Sequence, residues 1–146
     1  MAFLRSSRGS ISWPGGPVER FRQEARLIAR VRHPNLIDIF DIGELPDGRL
    51  YYVMEYLAGQ ALSSLLEKKR LTFREVIHII RQLCAGLNAA HQAGIVHRDL
   101  KPDNLFLVER AGEQPLVKLV DFGIAKTVGV EPTIIVRQST SRVSQS

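Results

Sequence analysis

Residues 97–104 read His-Arg-Asp-Leu-Lys-Pro-Asp-Asn and residues 121–123 read Asp-Phe-Gly, and these two stretches decide how the whole chain is interpreted. Asp99 can accept a proton from an attacking hydroxyl group. Asn104 and Asp121 offer the hard oxygen ligands that Mg²⁺ prefers. A base and two such ligands at this spacing predict a site for magnesium and phosphate groups.

The order and spacing of these residues resemble the catalytic loop of eukaryotic-type (Hanks-type) serine/threonine protein kinases, H-R-D-L-x-x-x-N followed by D-F-G. The resemblance implies that Asp99 orients the substrate hydroxyl and accepts its proton. It also implies that Lys101 touches the γ-phosphate as a compact charge, and that Asn104 and Asp121 hold magnesium ions. ATP and Mg²⁺ are then the expected cofactors, and a protein Ser or Thr side chain is the expected substrate.

The resemblance runs from about Val18 to Lys126 and implies an α+β, partial protein-kinase-like fold. That fold would contain part of the N-lobe sheet with helix C, the first C-lobe helices and the catalytic loop. We expect an irregular or disordered segment over 1–17 with a short strand at its start, a partial kinase domain over 18–126, and a truncated activation segment or flexible tail over 127–146. The excess of Arg over Lys is typical of a GC-rich, bacterial genome.

The composition is ordinary for a soluble globular protein, with 45% hydrophobic and 24% charged residues and a net charge of +5. The basic residues are scattered apart from the run at 68–70, which argues against a nucleic-acid partner. No segment approaches the roughly 18 consecutive apolar residues of a membrane span, and no signal-peptide core is visible. We therefore expect a cytoplasmic protein. Cys84 is the single cysteine, and its helical position predicts burial.

Hydrophobic spacing predicts an amphipathic helix from Val18 to about Arg32. Leu36–Ile42 and Leu50–Tyr56 are predicted to form an antiparallel hairpin around a turn. Two further strands, Leu105–Val108 and Leu116–Val120, are predicted after the catalytic loop.

A short helix is predicted from Ala61 to about Lys69, followed by a long one. Thr72 and Glu75 form a capping-box pattern that opens the long helix, and Gly94 is the expected end. The predicted apolar face of this helix contains Val76, Ile79, Ile80, Leu83, Leu87 and Ala90.

His97 is interpreted as a structural histidine rather than a base or a metal ligand. The resemblance places it near Phe122, with Ile28 and Ile39 completing an apolar stack. Arg98 resembles the arginine that pairs with a phosphorylated activation loop, and a local surface ion pair is the alternative.

The stretch 54–57, Met-Glu-Tyr-Leu, resembles the kinase hinge, which holds adenine through backbone groups. By position, the carbonyl of Glu55 and the amide of Leu57 would bind adenine, and Met54 would be the gatekeeper. An ordinary strand end is the alternative.

Glu24 lies where the family has a helix-C glutamate that pairs with a strand lysine holding the α- and β-phosphates. Residues 1–17 contain no lysine, and the family spacing places Arg5 or Ala2 opposite Glu24. A solvated helix glutamate is therefore the alternative interpretation. The chain also shows no G-x-G-x-x-G pattern and no Ala-Pro-Glu after residue 121.

Three functions follow from these patterns. The first is a serine/threonine protein kinase, expected to be a truncated and catalytically impaired fragment. The second is a non-catalytic, pseudokinase-like binding module, and the third is a small-molecule phosphotransferase. The long helix also presents enough apolar surface to predict a partner chain that covers it.

Overall fold

The computed structural model describes residues 4–5, 11–12, 16–122 and 133–137. The elements in chain order are β1 (Leu4–Arg5), β2 (Ile11–Ser12), α1 (Gly16–Arg30), β3 (Ile39–Glu44), β4 (Leu50–Glu55), β5 (Gly59–Ala61), α2 (Leu62–Lys68), α3 (Phe73–Gln92), a 3-10 turn (Pro102–Asn104), β6 (Leu105–Val108), β7 (Leu116–Leu119) and β8 (Thr133–Arg137). The α+β class and the kinase-like arrangement of these elements agree with the fold predicted from the sequence.

The described strands form three small sheets, β1-β2, β3-β4-β8 and β5-β6-β7. Strands β3 and β4 pair antiparallel, with Ile42 opposite Tyr52, so the predicted hairpin is confirmed. Strands β6 and β7 also pair antiparallel and place Leu107 opposite Val117. The short strand predicted near the start of the chain is β1, which pairs with β2.

Residues 133–137 form a strand within the segment predicted as a truncated activation segment or flexible tail over 127–146. Strand β8 pairs parallel to β4, with Tyr51 opposite Thr133 and Glu55 opposite Arg137. Its centre is a run of β-branched residues, 134–136, and such residues favour strands wherever a sheet edge is available. The other residues of this segment lie outside the described part of the chain.

Helix α3 begins and ends where the sequence predicts. Thr72 accepts a hydrogen bond from the Glu75 amide, and the Glu75 side chain accepts one from the Thr72 amide, which completes the capping box. Gly94 follows the helix with a φ of 75°, a conformation that glycine adopts without a steric penalty.

The predicted apolar face of α3 is only partly right. Ile79, Leu83 and Ala90 are buried, but Val76 and Ile80 are exposed. The helix approaches the loop before β3 so closely that a Cβ at Gly86 would lie 2.9 Å from the carbonyl oxygen of Asn35. The buried face is thereby rotated toward Gly86 and away from Val76 and Ile80.

The predicted burial of Cys84 is wrong, because Cys84 is exposed on α3. An apolar stripe on α3 is exposed in the same way, and it consists of Phe73, Val76, Ile77 and Ile80. Phe73 has 81% of its surface exposed. That a partner chain covers this stripe stays a prediction.

In the described part of the chain, no helix is both long and apolar enough to span a membrane.

One main core joins α1, the β3–β4 hairpin, α3 and the β6–β7 hairpin, and a small second cluster lies beneath α1. The second cluster consists of Phe21, Ala25 and Leu50. The main core includes Leu36, Leu105 and Leu119, which are all nearly inaccessible. The loop over 97–104 leads directly into β6. The packed β6–β7 hairpin therefore supports the loop.

Candidate active site

The loop over 97–104 is held in shape by the side chain of Asn104. This side chain is buried, and its amide nitrogen lies 2.8 Å from the carbonyl oxygen of Asp99 and 3.1 Å from a carboxylate oxygen of the same residue. The Asn104 backbone amide also donates to the carbonyl of Lys101 at 3.0 Å. Asn104 therefore fixes both the backbone and the carboxylate of Asp99.

Val120 connects the end of β7 to this loop through both of its backbone groups. Its amide donates to the carbonyl oxygen of Asn104 at 2.9 Å, and its carbonyl lies 2.9 Å from Nε2 of His97. Because a carbonyl can only accept, Nε2 of His97 must carry the hydrogen. The neighbouring residue, Asp121, is therefore held beside the loop that contains Asp99.

The remaining contacts of His97 agree with that tautomer and confirm a structural role for the ring. Its Nδ1 atom lies 3.3 Å from the amide of Asp99 and can accept that hydrogen. The ring is buried and meets the Phe122 ring at a centroid distance of 4.8 Å. Ile28 and Ile39 belong to the same core cluster as Phe122, as predicted.

The backbone on both sides of the site is strained. Arg98 has a φ of 63° and Asp121 a φ of 50°, values that are unfavourable for residues other than glycine. Such conformations persist where surrounding contacts determine them, and they cluster at functional sites. The hydrogen bonds of Val120 and Asn104 supply these contacts here.

Asp99 is placed to act as a proton acceptor. Its side chain is 15% exposed, and the ammonium group of Lys101 lies 3.8 Å from its carboxylate. A partly accessible carboxylate fixed by an amide and a nearby cation can receive a hydroxyl proton without first reorganising. The two residues predicted as catalytic thus lie together.

The donor groups of Asn104 and Asp121 fit Mg²⁺. The amide nitrogen of Asn104 is directed at Asp99, which leaves the side-chain oxygen of Asn104 as the atom that suits a cation. Asp121 is exposed and offers carboxylate oxygens. Magnesium is commonly bound through one or two protein groups together with phosphate oxygens. In the described part of the chain, no three His, Cys, Asp or Glu side chains cluster tightly enough to hold a metal between them.

The pKa of Tyr52 on β4 is affected by burial and by the negative charge of Asp121. Burial raises the pKa of Tyr52 to about 12, and the nearby Asp121 carboxylate adds to the effect. Tyr52, on the hairpin that leads into the predicted hinge, therefore lies near the predicted metal ligand.

Glu24 contacts Arg98 among the described side chains, with 3.4 Å between its carboxylate and the guanidinium. The two residues line a cleft together with Leu27 and Phe122. Ala2 and the side chain of Arg5 lie outside the described part of the chain. A phosphate-holding role for Glu24 stays a prediction, whereas a local ion pair for Arg98 is present.

The predicted hinge lies at the end of β4. The amide of Glu55 donates to the carbonyl of Asp38 at 3.0 Å, and the amide of Tyr56 donates to the carbonyl of Arg137 at 2.9 Å. Leu57 is half-buried two residues later, and Met54 packs against the main core. Adenine binding by Glu55 and Leu57 stays a prediction.

Sequence reasoning missed Lys118, which is buried on β7 and forms an ion pair with Glu55. Its neighbours, Val117 and Leu119, are both buried, so simple alternation along the strand predicts an exposed lysine. The available signal was weak: a buried lysine requires an acidic partner, and Glu55 is one of many acids in the chain.

The profile of the protein kinase domain family matches residues 6–143. The chain belongs to the protein kinase family. This kinase-family chain is 44% identical over 110 residues to serine/threonine-protein kinase pkn3 of Myxococcus xanthus, a match that covers 75% of the chain and 20% of that kinase. It is 49% identical over 109 residues to serine/threonine-protein kinase Pkn1 of the same organism, covering 75% of the chain and 15% of the relative.

A solved structure, that of Rad53 1-466 in complex with AMP-PNP, is similar with a TM-score of 0.66 and 28% sequence identity. The similarity covers 73% of this chain and 28% of the Rad53 chain. The kinase-family chain thus spans between about a seventh and a fifth of the two Myxococcus kinases it matches.

Proposed function

We propose that the site transfers the γ-phosphoryl group of ATP to the hydroxyl of a protein Ser or Thr side chain. The observation that supports this most is the fixed placement of Asp99 by Asn104 and Lys101, beside a backbone that holds Asp121. Family membership and the AMP-PNP bound to the Rad53 structure support a nucleotide as the donor.

In the proposed reaction, Asp99 orients the substrate hydroxyl and receives its proton. The hydroxyl oxygen bonds to the γ-phosphorus while the bond from that phosphorus to the β-γ bridging oxygen breaks, and ADP leaves. Lys101 lies close enough to Asp99 to meet the transferred group with its positive charge. Glu55 and Leu57 would hold adenine through backbone groups, and Glu24 would support the phosphates.

Magnesium would be held by Asn104 and Asp121, and when bound it neutralises the phosphate charges during transfer. The role of Asn104 is then double, since one side-chain atom orients Asp99 while the other meets the cation. Asp121 would contribute its carboxylate from a position next to Val120, whose amide and carbonyl groups are both hydrogen-bonded to the loop.

We also propose that transfer by the 146-residue chain itself is slow. In the described structure Glu24 contacts Arg98, and no phosphate-holding lysine is among the described contacts of Glu24. The same contact favours the second candidate, a non-catalytic module that binds a partner through the kinase fold.

The test is transfer of radiolabelled γ-phosphate to dephosphorylated casein, measured with and without Mg²⁺. Asp99→Asn keeps the shape of the side chain and removes the base, so we expect the rate to fall about 100-fold or more. Asp103→Asn is the matched control, because Asp103 is an exposed residue of the same loop and its rate should match that of the unaltered chain. Equal rates for Asp99→Asn and the unaltered chain, or transfer by neither, would refute the proposal.

A further inference from the structure

Lys118 is a buried lysine that the reaction described above does not use. Its side chain is 10% exposed, and it lies in the middle of β7 between two buried apolar residues. Removing an ammonium group from water is costly unless hydrogen bonds and an opposite charge compensate. The groups that compensate the charge of the buried Lys118 therefore have to be identified.

The ammonium of Lys118 is satisfied from two directions. It donates to the carboxylate of Glu55, whose side chain is 18% exposed, and to the carbonyl oxygen of Leu36 at 3.2 Å. The same carboxylate oxygen of Glu55 accepts the amide of Asp38 at 2.9 Å, and the amide of Glu55 donates to the carbonyl of Asp38 at 3.0 Å. The backbone and side chain of Glu55 are thus both fixed, and Lys118 is the charge that compensates its carboxylate.

The ion pair between Lys118 and Glu55 connects the predicted adenine-binding segment to the strand that precedes the predicted metal ligand. Glu55 is the residue whose carbonyl we propose for adenine, and Leu57 follows two positions later. On the other side, β7 ends at Leu119, and Val120, which is hydrogen-bonded to Asn104 and His97, connects the strand to Asp121. One buried ammonium therefore joins the strand that would recognise the base to the strand that delivers the metal ligand.

We propose that Lys118 is a positioning residue that sets the hinge relative to Asp121 and thereby the affinity for adenine nucleotides. This inference rests on the proposed function as far as nucleotides are concerned. Its structural part, that Lys118 restrains residues 50–57, can be tested in the chain without any ligand.

The first experiment is amide hydrogen exchange of the unliganded full chain with Lys118→Met and with the double variant Lys118→Met/Glu55→Gln. The double variant leaves no buried carboxylate without its cation, so it stays folded even if the single variant does not. We expect exchange over 50–57 to accelerate at least tenfold in the double variant, with helix α3 changing less than twofold. Unchanged exchange over 50–57, or an equal acceleration in α3, would overturn the proposal.

The second experiment is binding of ADP in magnesium-free buffer, which isolates recognition of the nucleoside part from the metal. We expect the double variant to bind ADP at least tenfold more weakly than the unaltered chain. Lys69→Met is the matched control, because Lys69 is an exposed lysine whose ion pair with Glu75 involves neither β7 nor residues 50–57, so its loss should leave affinity unchanged. Unaltered ADP affinity in a variant with a loosened 50–57 segment would overturn the proposal.

The two experiments separate failure of this inference from failure of the proposed function. If the unaltered chain binds neither ADP nor magnesium ATP, the proposed function fails. The rate of amide hydrogen exchange over residues 50–57 then still decides whether Lys118 restrains the hinge.

Discussion

The loop over 97–104, proposed to be catalytic, and the Glu24 side of the cleft are held together in very different ways. The loop is fixed by buried groups from several elements, including His97, Asn104 and the backbone of Val120, at distances between 2.8 and 3.3 Å. Glu24 is held in the described structure by one ion pair of 3.4 Å to Arg98, and both side chains are substantially exposed. Buried hydrogen bonds that support one another specify one geometry, whereas an exposed ion pair contributes little and is easily exchanged.

The difference indicates that the proposed base and metal ligands are pre-organised, while the side of the site proposed to hold the phosphates is not. Among the described side chains, every buried polar atom has a hydrogen-bond partner, which agrees with a well-determined loop. The glutamate–lysine pair that the family has at this position would instead require a partner outside the described contacts of Glu24.

The substitution that we expect to have the largest effect on the loop is His97→Ala. The change removes a buried ring and leaves the Val120 carbonyl and the Asp99 amide without their partner, so we expect a loss of about 2–4 kcal/mol in the free energy of unfolding. Urea denaturation followed by circular dichroism measures this loss. His91→Ala is the control, because His91 is exposed on α3 and its removal should have a small effect. A similar small effect for His97→Ala would show that the loop does not depend on the ring.

The ion pair between Glu24 and Arg98 should contribute much less. A double-mutant cycle with Glu24→Gln and Arg98→Ala should give a coupling energy below about 1 kcal/mol, since both partners are partly solvated. Chemical denaturation of the four proteins measures it. A coupling of several kcal/mol would mean that both sides of the cleft are equally well fixed.

The smallest expected effect is the pH dependence of the stability that the exposed N-terminal cap of α3 contributes. The ammonium of Lys69, followed by the hydrogen bonds of Thr72, lowers the pKa of Glu75 from 4.5 to about 2. Because the folded state favours the ionised form, this stabilisation is complete above about pH 4.5 and is lost as the pH falls toward 2. Thermal unfolding should therefore show a difference between the unaltered chain and Glu75→Gln that shrinks across this range. A difference that stays constant with pH would contradict the assignment.

Locally encoded features were predictable from the sequence. The capping box at Thr72 and Glu75 and the loop at 97–104 rest on residues close together in the chain, so their types and spacing are sufficient to identify them. The β3–β4 hairpin was likewise predictable from a turn between two apolar runs. The role of His97 was predictable only through the family resemblance, because the Val120 carbonyl and the Phe122 ring that it contacts lie more than twenty residues away.

Features that depend on distant segments were not predictable. The apolar run in β8 was visible, but the sequence does not show that the edge of β4 accepts it. The exposure of Cys84 depends on how α3 rotates to bring Gly86 against the loop before β3. Lys118 and Glu55 are far apart in the chain, and the ion pair between them appears only after the strands are assembled.

The most direct test of the proposed site is titration of the purified chain with ATP, with and without Mg²⁺, repeated with Asp121→Ala. If Asn104 and Asp121 hold magnesium beside Asp99, ATP binding should strengthen with magnesium, and this increase should disappear in Asp121→Ala. ATP binding that does not depend on magnesium, binding that survives Asp121→Ala unchanged, or no binding at all would contradict the account.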